Sequence, residues 1–253
     1  MDLGLRGKRA IITGGTRGIG FRIAQSLAEE GCNLSICGRD PARLETALAA
    51  LRKTGVTAHG AALNARDAEP LLAWLDDAVT ALGGVDILIL NVSGGGGVDS
   101  ELNWKKNFDI DLMSAVRSCE RITPALKKSD AGSIVFVGDV ASVETGAEAA
   151  AYNAIKAGIV THAAQLSQKL MRSNIRVNSV SPGPLLFPGS SWEMMRVMDA
   201  KRFRNVTSQH PGRRLGTDLE AANAITFIAS PAASWVTGVN LVVDGGFTKR
   251  VQF

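Results

Sequence analysis

Two sets of residues in this 253-residue chain have the types and spacing to do chemistry. The first is Thr13-Gly14-Gly15-Thr16-Arg17-Gly18-Ile19-Gly20. Glycines at this density permit a tight turn and let backbone N–H groups approach a pyrophosphate at a helix N-terminus. A glycine turn alone joins many strands to helices, so the signal depends on what flanks it. The second set is Tyr152 and Lys156, four residues apart in a stretch that reads as helix, and so on one face. Tyr152 is the only tyrosine of the chain. A free phenol titrates near pH ~10, so a tyrosine that trades protons at neutral pH needs help from its surroundings.

The elements that must hold these residues follow one rhythm. Short apolar runs at 10–13, 33–37, 56–62, 86–90, 133–137, 176–180 and 240–243 read as strands. Between them, 19–30, 41–53, 68–82, 107–126, 152–172 and 218–229 read as helices. Asp86-Ile87-Leu88-Ile89-Leu90 shows no alternation, as expected of a strand buried on both faces of a parallel sheet. Repeated strand–helix–strand units predict a doubly wound, Rossmann-like α/β fold of about seven parallel strands, with helices on both faces. The glycine turn then follows the first strand and opens the first helix, the position at which it reads as a nucleotide signal. No linker or composition shift divides the chain, so one domain over residues 1–253 is expected.

Composition narrows the classes. Apolar residues make 45% and charged residues 21%, enough for a sizeable core. A net charge of +4 without a basic block or stripe argues against a nucleic-acid partner. No apolar run approaches the ~18 residues of a membrane span, and the first residues lack a secretory signal, so a cytoplasmic protein is expected. Cys32, Cys37 and Cys119 form no Cys-x-x-Cys pair and read as buried small hydrophobes. His59, His162 and His210 make no ligand spacing, and no metal site is expected.

The spacing Thr-Gly-x-x-x-Gly-x-Gly resembles the short-chain dehydrogenase/reductase family, and further motifs follow in family order. Asn91 lies in Leu-Asn-Val-Ser, where the family commonly has Asn-Asn-Ala-Gly. Tyr152-Asn153-Ala154-Ile155-Lys156 is similar to its Tyr-x-x-x-Lys, Ser181-Pro182-Gly183 follows the sixth strand, and Val242-Val243-Asp244-Gly245-Gly246 is similar to its last strand. The resemblance covers essentially the whole chain and is nearest the ketoacyl-reductase-like branch. It implies an oxidoreductase that moves hydride between a nicotinamide cofactor and a carbonyl/alcohol substrate. Tyr152 would exchange the hydroxyl proton, while Lys156 would lower the phenol's pKa and hold the nicotinamide ribose. Gly14, Thr16, Gly18, Ile19, Gly20, Pro182 and Gly183 would seat the cofactor, with Asn91 near the adenosine ribose and Asn64 at the adenine. A homotetramer is implied, paired through helices 107–126 and 152–172, where Met113, Val116, Ile159 and Val160 exceed what one core contact needs.

NAD-selective sites place a carboxylate at the end of the second strand to hold the ribose 2′-hydroxyl. Here Gly38 occupies that position and Arg39 follows it, with Arg17 in the glycine turn. Two guanidiniums suit a 2′-phosphate, so the cofactor expected is NADP(H). Asp40, one residue on, is the competing carboxylate.

Two positions depart from the family. Counting thirteen residues back from Tyr152 puts Asp139 where the family has its serine, with Ser142 as a rival. Asp111 aligns with the family's helix-borne asparagine, with Asn107 as a rival four residues away. A carboxylate cannot donate to a substrate carbonyl unless it is protonated. Asp111 is expected to accept a hydrogen bond from a relay water leading to Lys156. Two rival readings follow: a nucleotide-binding sensor or scaffold whose chemistry has faded, or a reductase of an imine or amino-carbonyl substrate.

Residues 184–211 correspond to the family's substrate lid. Trp192, Met194, Met195 and Met198 suggest either an apolar wall or a helix packed on the core or on another subunit, and Lys201, Arg202 and Arg204 read as a basic group that faces water or steers an acidic tail. Gly94 to Gly97 read as a loop leaving space for substrate. The substrate itself is a small molecule that the sequence does not name.

Overall fold

The structure is a computed structural model that describes residues 1–145 and 150–251. Seven parallel strands form one sheet: β1 (Arg9–Thr13), β2 (Asn33–Gly38), β3 (Ala58–Ala62), β4 (Ile87–Leu90), β5 (Gly132–Val137), β6 (Ile175–Pro182) and β7 (Asn240–Val243). Their order is β3-β2-β1-β4-β5-β6-β7. The direction of winding reverses between β1 and β4, and in open parallel sheets ligands bind outside the carboxyl ends of the strands at that switch point. The register pairs Thr13 with Leu90, which sets the glycine turn directly beside Asn91.

The strands are apolar on both sides because each side is covered. On one face Ile12, Ile36, Ile89 and Val135 pack with residues from α1 (Gly18–Glu29), α2 (Pro41–Arg52) and, later in the chain, 218–229. On the other, Ile11, Leu88, Ile134 and Val177 pack with α3 (Ala68–Leu82) and with residues from 114–126 and 150–170. Cys32, Cys37 and Cys119 are free and buried, and burial pushes the Cys37 thiol up to about 12.

The stretch read as one helix over 107–126 is three pieces. α4 (Glu101–Asn107) begins at Ser100, whose hydroxyl caps the Asn103 N–H. A wide π-helical segment, Phe108–Met113, follows before α5 (Ser114–Leu126) resumes the tighter spiral. Its wider winding carries Asp111 to the inside, where the side chain is fully buried. Such π-segments frequently occur at functional sites.

α6 (Ala150–Leu170) carries Tyr152 and Lys156. Ile159 on this helix belongs to the core rather than to an outer face, correcting the expectation for that residue; Met113, Val116 and Val160 are half-buried. The 184–211 segment holds two helices, α7 (Ser191–Met198) and α8 (Ala200–Gln209), each with a side-chain cap, from Ser190 and Asp199 respectively. α9 (Asp218–Ala229) packs on α1.

Candidate active site

The glycine turn is built by close approach. Asn91, just past β4, donates its side-chain amide to the carbonyls of Thr13 (3.2 Å) and Gly14 (3.0 Å). A Cβ on Gly20 would stand 2.2 Å from the Gly14 carbonyl oxygen and 2.3 Å from Asn91 Nδ2, so only glycine lets α1 start this close to β1. Gly14 itself sits at φ +69°, a left-handed conformation natural to glycine. Asn91 therefore clamps the turn as well as facing the space above it.

That space is a groove of about 730 Å³ at the switch point. Gly14, Thr16, Arg17, Gly18, Ile19, Gly20, Arg39, Asn64 and Asn91 all line it, as does Arg43 from the first turn of α2. Position 38 is closed to side chains, because a Cβ there would come within 2.2 Å of Thr16 Oγ1. Asp40, the competing carboxylate, caps α2 by accepting from the Arg43 N–H (3.1 Å) and does not line the groove. Arg17, Arg39 and Arg43 thus all line the groove, and the Arg43 guanidinium also lies 3.8 Å from Asp40 Oδ2. Arg43 was missed from sequence; its signal was the Asp-Pro start of α2, which turns the third helical residue back toward the strand end.

A second chamber of about 200 Å³ adjoins the groove, sharing Asn91, Ser93, Phe187 and Ser190 with it. Tyr152, Lys156, Asp139, Pro182 and Gly183 line it, closed on the lid side by Leu185, Phe187 and Trp192. Of the apolar wall expected from the lid, only Trp192 reaches this chamber. Met195 is half-buried outside it, and Met194 and Met198 are 60% and 81% exposed, because α7 turns that face outward. Lys201, Arg202 and Arg204 are exposed on α8. Gly94 is fixed rather than free: its N–H donates to Asp111 Oδ2 at 2.6 Å, and a Cβ there would press on Asp111 and Asn107.

Two side-chain pairs meet at the chamber, one part-buried and one fully buried. Tyr152 Oη donates to Asp139 Oδ2 at 3.0 Å, while Asp139 Oδ1 accepts from the Ala141 N–H at 2.8 Å. Lys156 Nζ lies 3.1 Å from Asp111 Oδ1 and donates to the Val137 carbonyl at 3.3 Å. The lysine thus meets Asp111 directly, which corrects the expected water relay between them: the π-segment brings the carboxylate into contact range. Burial pushes the Asp139 carboxyl above the usual range, with the nearby Asp111 charge adding to it, against the pull of Ala141, Lys156 and Tyr152. Tyr152 is held well above an ordinary phenol, first by burial and then by the Asp139 and Asp111 charges, with a hydrogen bond from Ser93 opposing. Ser93 was not singled out from sequence; a hydroxyl residue where the family motif has Gly was the available signal.

Neither rival residue lines the chamber. Ser142 Oγ stands 3.3 Å from Ser181 Oγ and does not line the chamber. The Asn107 amide turns back to the Asn103 carbonyl within its own helix.

A family model described as enoyl-(acyl carrier protein) reductase matches residues 14–248. The chain is 34% identical over 257 residues to isoepoxydon dehydrogenase patN of Penicillium expansum, covering 100% of this chain and 99% of that one. It superposes on the L-sorbose reductase of Gluconobacter frateurii, solved with NADPH and L-sorbose, with a TM-score of 0.91 and 28% identity over 99% and 100% of the two chains. A 7α-hydroxysteroid dehydrogenase solved with NADH and a 7-oxo bile acid gives 0.90 and 28%, over 99% and 98%.

Proposed function

The chain belongs to the short-chain dehydrogenase/reductase family, and from that premise we propose that it is an NADP(H)-dependent oxidoreductase of a carbonyl/alcohol substrate. The observation that carries this reading is the adjacency of the two cavities: the glycine-walled groove opens onto a chamber in which Tyr152 and Lys156 share one helix face. The chain is read as one catalytic unit, with residues 184–211 as its lid.

The residues present fit a dinucleotide. Gly14, Gly18 and Gly20 leave backbone close to the groove at the start of α1, where N–H groups and the helix dipole favour a pyrophosphate. Arg17, Arg39 and Arg43 surround the ribose end with no carboxylate among the lining residues there, which favours a 2′-phosphate over a free 2′-hydroxyl. When bound, the nicotinamide supplies or accepts the hydride; the protein supplies orientation and proton handling. Pro182, Gly183 and Lys156 stand where the nicotinamide end would enter the chamber. Tyr152 is the group that exchanges a proton with the substrate oxygen, and Phe187 and Trp192 exclude water above it. The assembled Tyr152 and Lys156 support turnover over the silent-sensor reading.

A turnover screen with NADPH and NADP⁺ over ketones, hydroxy compounds and cyclic imines tests this. Cofactor-dependent turnover of at least one carbonyl or alcohol is expected. Tight cofactor binding with no turnover of any class would favour the sensor instead, and turnover confined to imines would favour the imine reductase.

A further inference from the structure

Tyr152 spends its hydroxyl hydrogen on Asp139 Oδ2, and the cation that would favour a phenolate is engaged elsewhere. Lys156 is ion-paired with Asp111, their side chains 3% and 0% exposed, and its Nζ is 5.5 Å from the centre of the tyrosine ring. Among the described residues, the charged and titratable groups facing Asp139 are Tyr152 and Lys156 on α6 and Asp111 on the π-segment. The space therefore holds two carboxyls against one ammonium. A phenolate would add a further negative charge to a buried set that one lysine already has to balance, and like charge disfavours it.

We propose that Asp139 is the proton store of the reaction and that Tyr152 relays the proton without ionising. This rests on the reading of Tyr152 as the group that meets the substrate oxygen. In the oxidising direction the substrate O–H bond breaks and its proton forms a new bond to Tyr152 Oη. Tyr152's own proton passes in the same event to Asp139 Oδ2, turning the carboxylate into a neutral acid. The electron pair of the substrate O–H bond becomes the carbonyl π bond as the carbon gives its hydride to the oxidised nicotinamide that the proposed function supplies. In the reducing direction the carboxylic acid recharges Tyr152 as the tyrosine protonates the substrate oxygen. Burial raises the Asp139 carboxyl above its ordinary range and raises the Tyr152 phenol well above its own, which suits this division of labour. The two groups titrate as a coupled pair.

Because Tyr152 is the sole tyrosine, its ionisation can be read directly in the full chain by the ultraviolet absorbance of tyrosinate during a pH titration. Infrared difference spectra over the same range read the protonated carboxyl. The expected wild-type result is no tyrosinate until the pH exceeds the ordinary ~10, and an Asp139-dependent carboxyl that titrates above the ordinary ~3.9. In Asp139→Asn the carboxyl signal disappears and the tyrosine titrates at least one unit lower, a tenfold change in its ionisation constant. Asp139→Ser should lower it likewise and serves if the Asn variant fails to fold, with NADPH binding as the check on folding. Tyrosinate forming below pH ~10 in the wild type, or a carboxyl at its ordinary value, overturns the relay. With cofactor binding and turnover intact, either result leaves the proposed oxidoreductase standing. Absent cofactor binding would sink that function instead.

Discussion

Gly38 and the arginines around it decide how the groove treats a ribose. Sequence already placed Gly38, Arg39 and Arg17 at this end; Arg43 was hidden because its position depends on how α2 starts, which strand–helix rhythm does not resolve. With three guanidiniums there and Asp40 occupied as a helix cap, NADPH is expected to bind at least tenfold tighter than NADH, about 1.4 kcal/mol. Arg39→Asp should narrow or reverse that preference. Equal dissociation constants for the two cofactors in the unmutated protein, measured by calorimetry, contradict it. The Lys156–Asp111 pair makes a second prediction. Removing one partner of a buried ion pair strands the other charge, at a cost of roughly 3–5 kcal/mol. Asp111→Asn should lower unfolding stability on that scale in urea, far more than Asp109→Asn on the same segment, where the carboxylate meets the more exposed Arg66 and Lys105. Similar losses from the two variants would show that the buried pair carries no special weight. Counting back from Tyr152 was enough to find Asp139. Counting could not show that its carboxylate accepts a hydrogen bond from the tyrosine, because that contact depends on the turn after β5.

Helices were legible where they alternate with strands and less so where they are locally irregular. The 107–126 stretch has helical periodicity throughout, and nothing in it marks where the spiral widens and sets Asp111 against Lys156. α7 and α8 were not separated in the lid because neither helix has a fully buried residue, so neither presents a core-facing stripe to read. α9 shows the opposite case. Thr217 and Glu220 form a reciprocal capping box at its start, and Arg214 holds Glu220. Hydrogen bonds from Arg214 and from the Thr217 backbone bring the Glu220 carboxyl down to about 2. A depressed carboxylate stabilises the fold above its unfolded value of ~4.3, and that contribution disappears as the pH falls through about 2. Glu220→Gln should therefore flatten the acid side of the stability curve across this window, as measured by thermal melts. Thr217→Ala should cost about 1 kcal/mol at neutral pH. An acid limb unchanged in Glu220→Gln would show that the box does not shape acid stability.

Across the molecule, the parallel sheet was the most legible feature, because a strand buried on both faces has no polar alternation to mistake. Assembly is less so. Met113, Val116 and Val160 are half-buried on helices α5, α6 and the π-segment, and Trp235 beyond α9 is 92% exposed. We propose a homotetramer in which the α5–α6 face is covered; sedimentation equilibrium at micromolar concentration should give four copies, and a stable monomer refutes it. No helix of the described residues is long and apolar enough to cross a membrane. On the proposed function the arrangement brings a cofactor groove and a proton-handling chamber together, and one comparison reaches that proposal most directly. Wild type and Tyr152→Phe are titrated with NADPH, then assayed on whichever substrate the wild type turns over best. The account predicts cofactor affinities within about twofold of each other and a loss of turnover of at least ~10²-fold in the variant, the usual scale for removing a positioned acid/base. Equal turnover by Tyr152→Phe would contradict it.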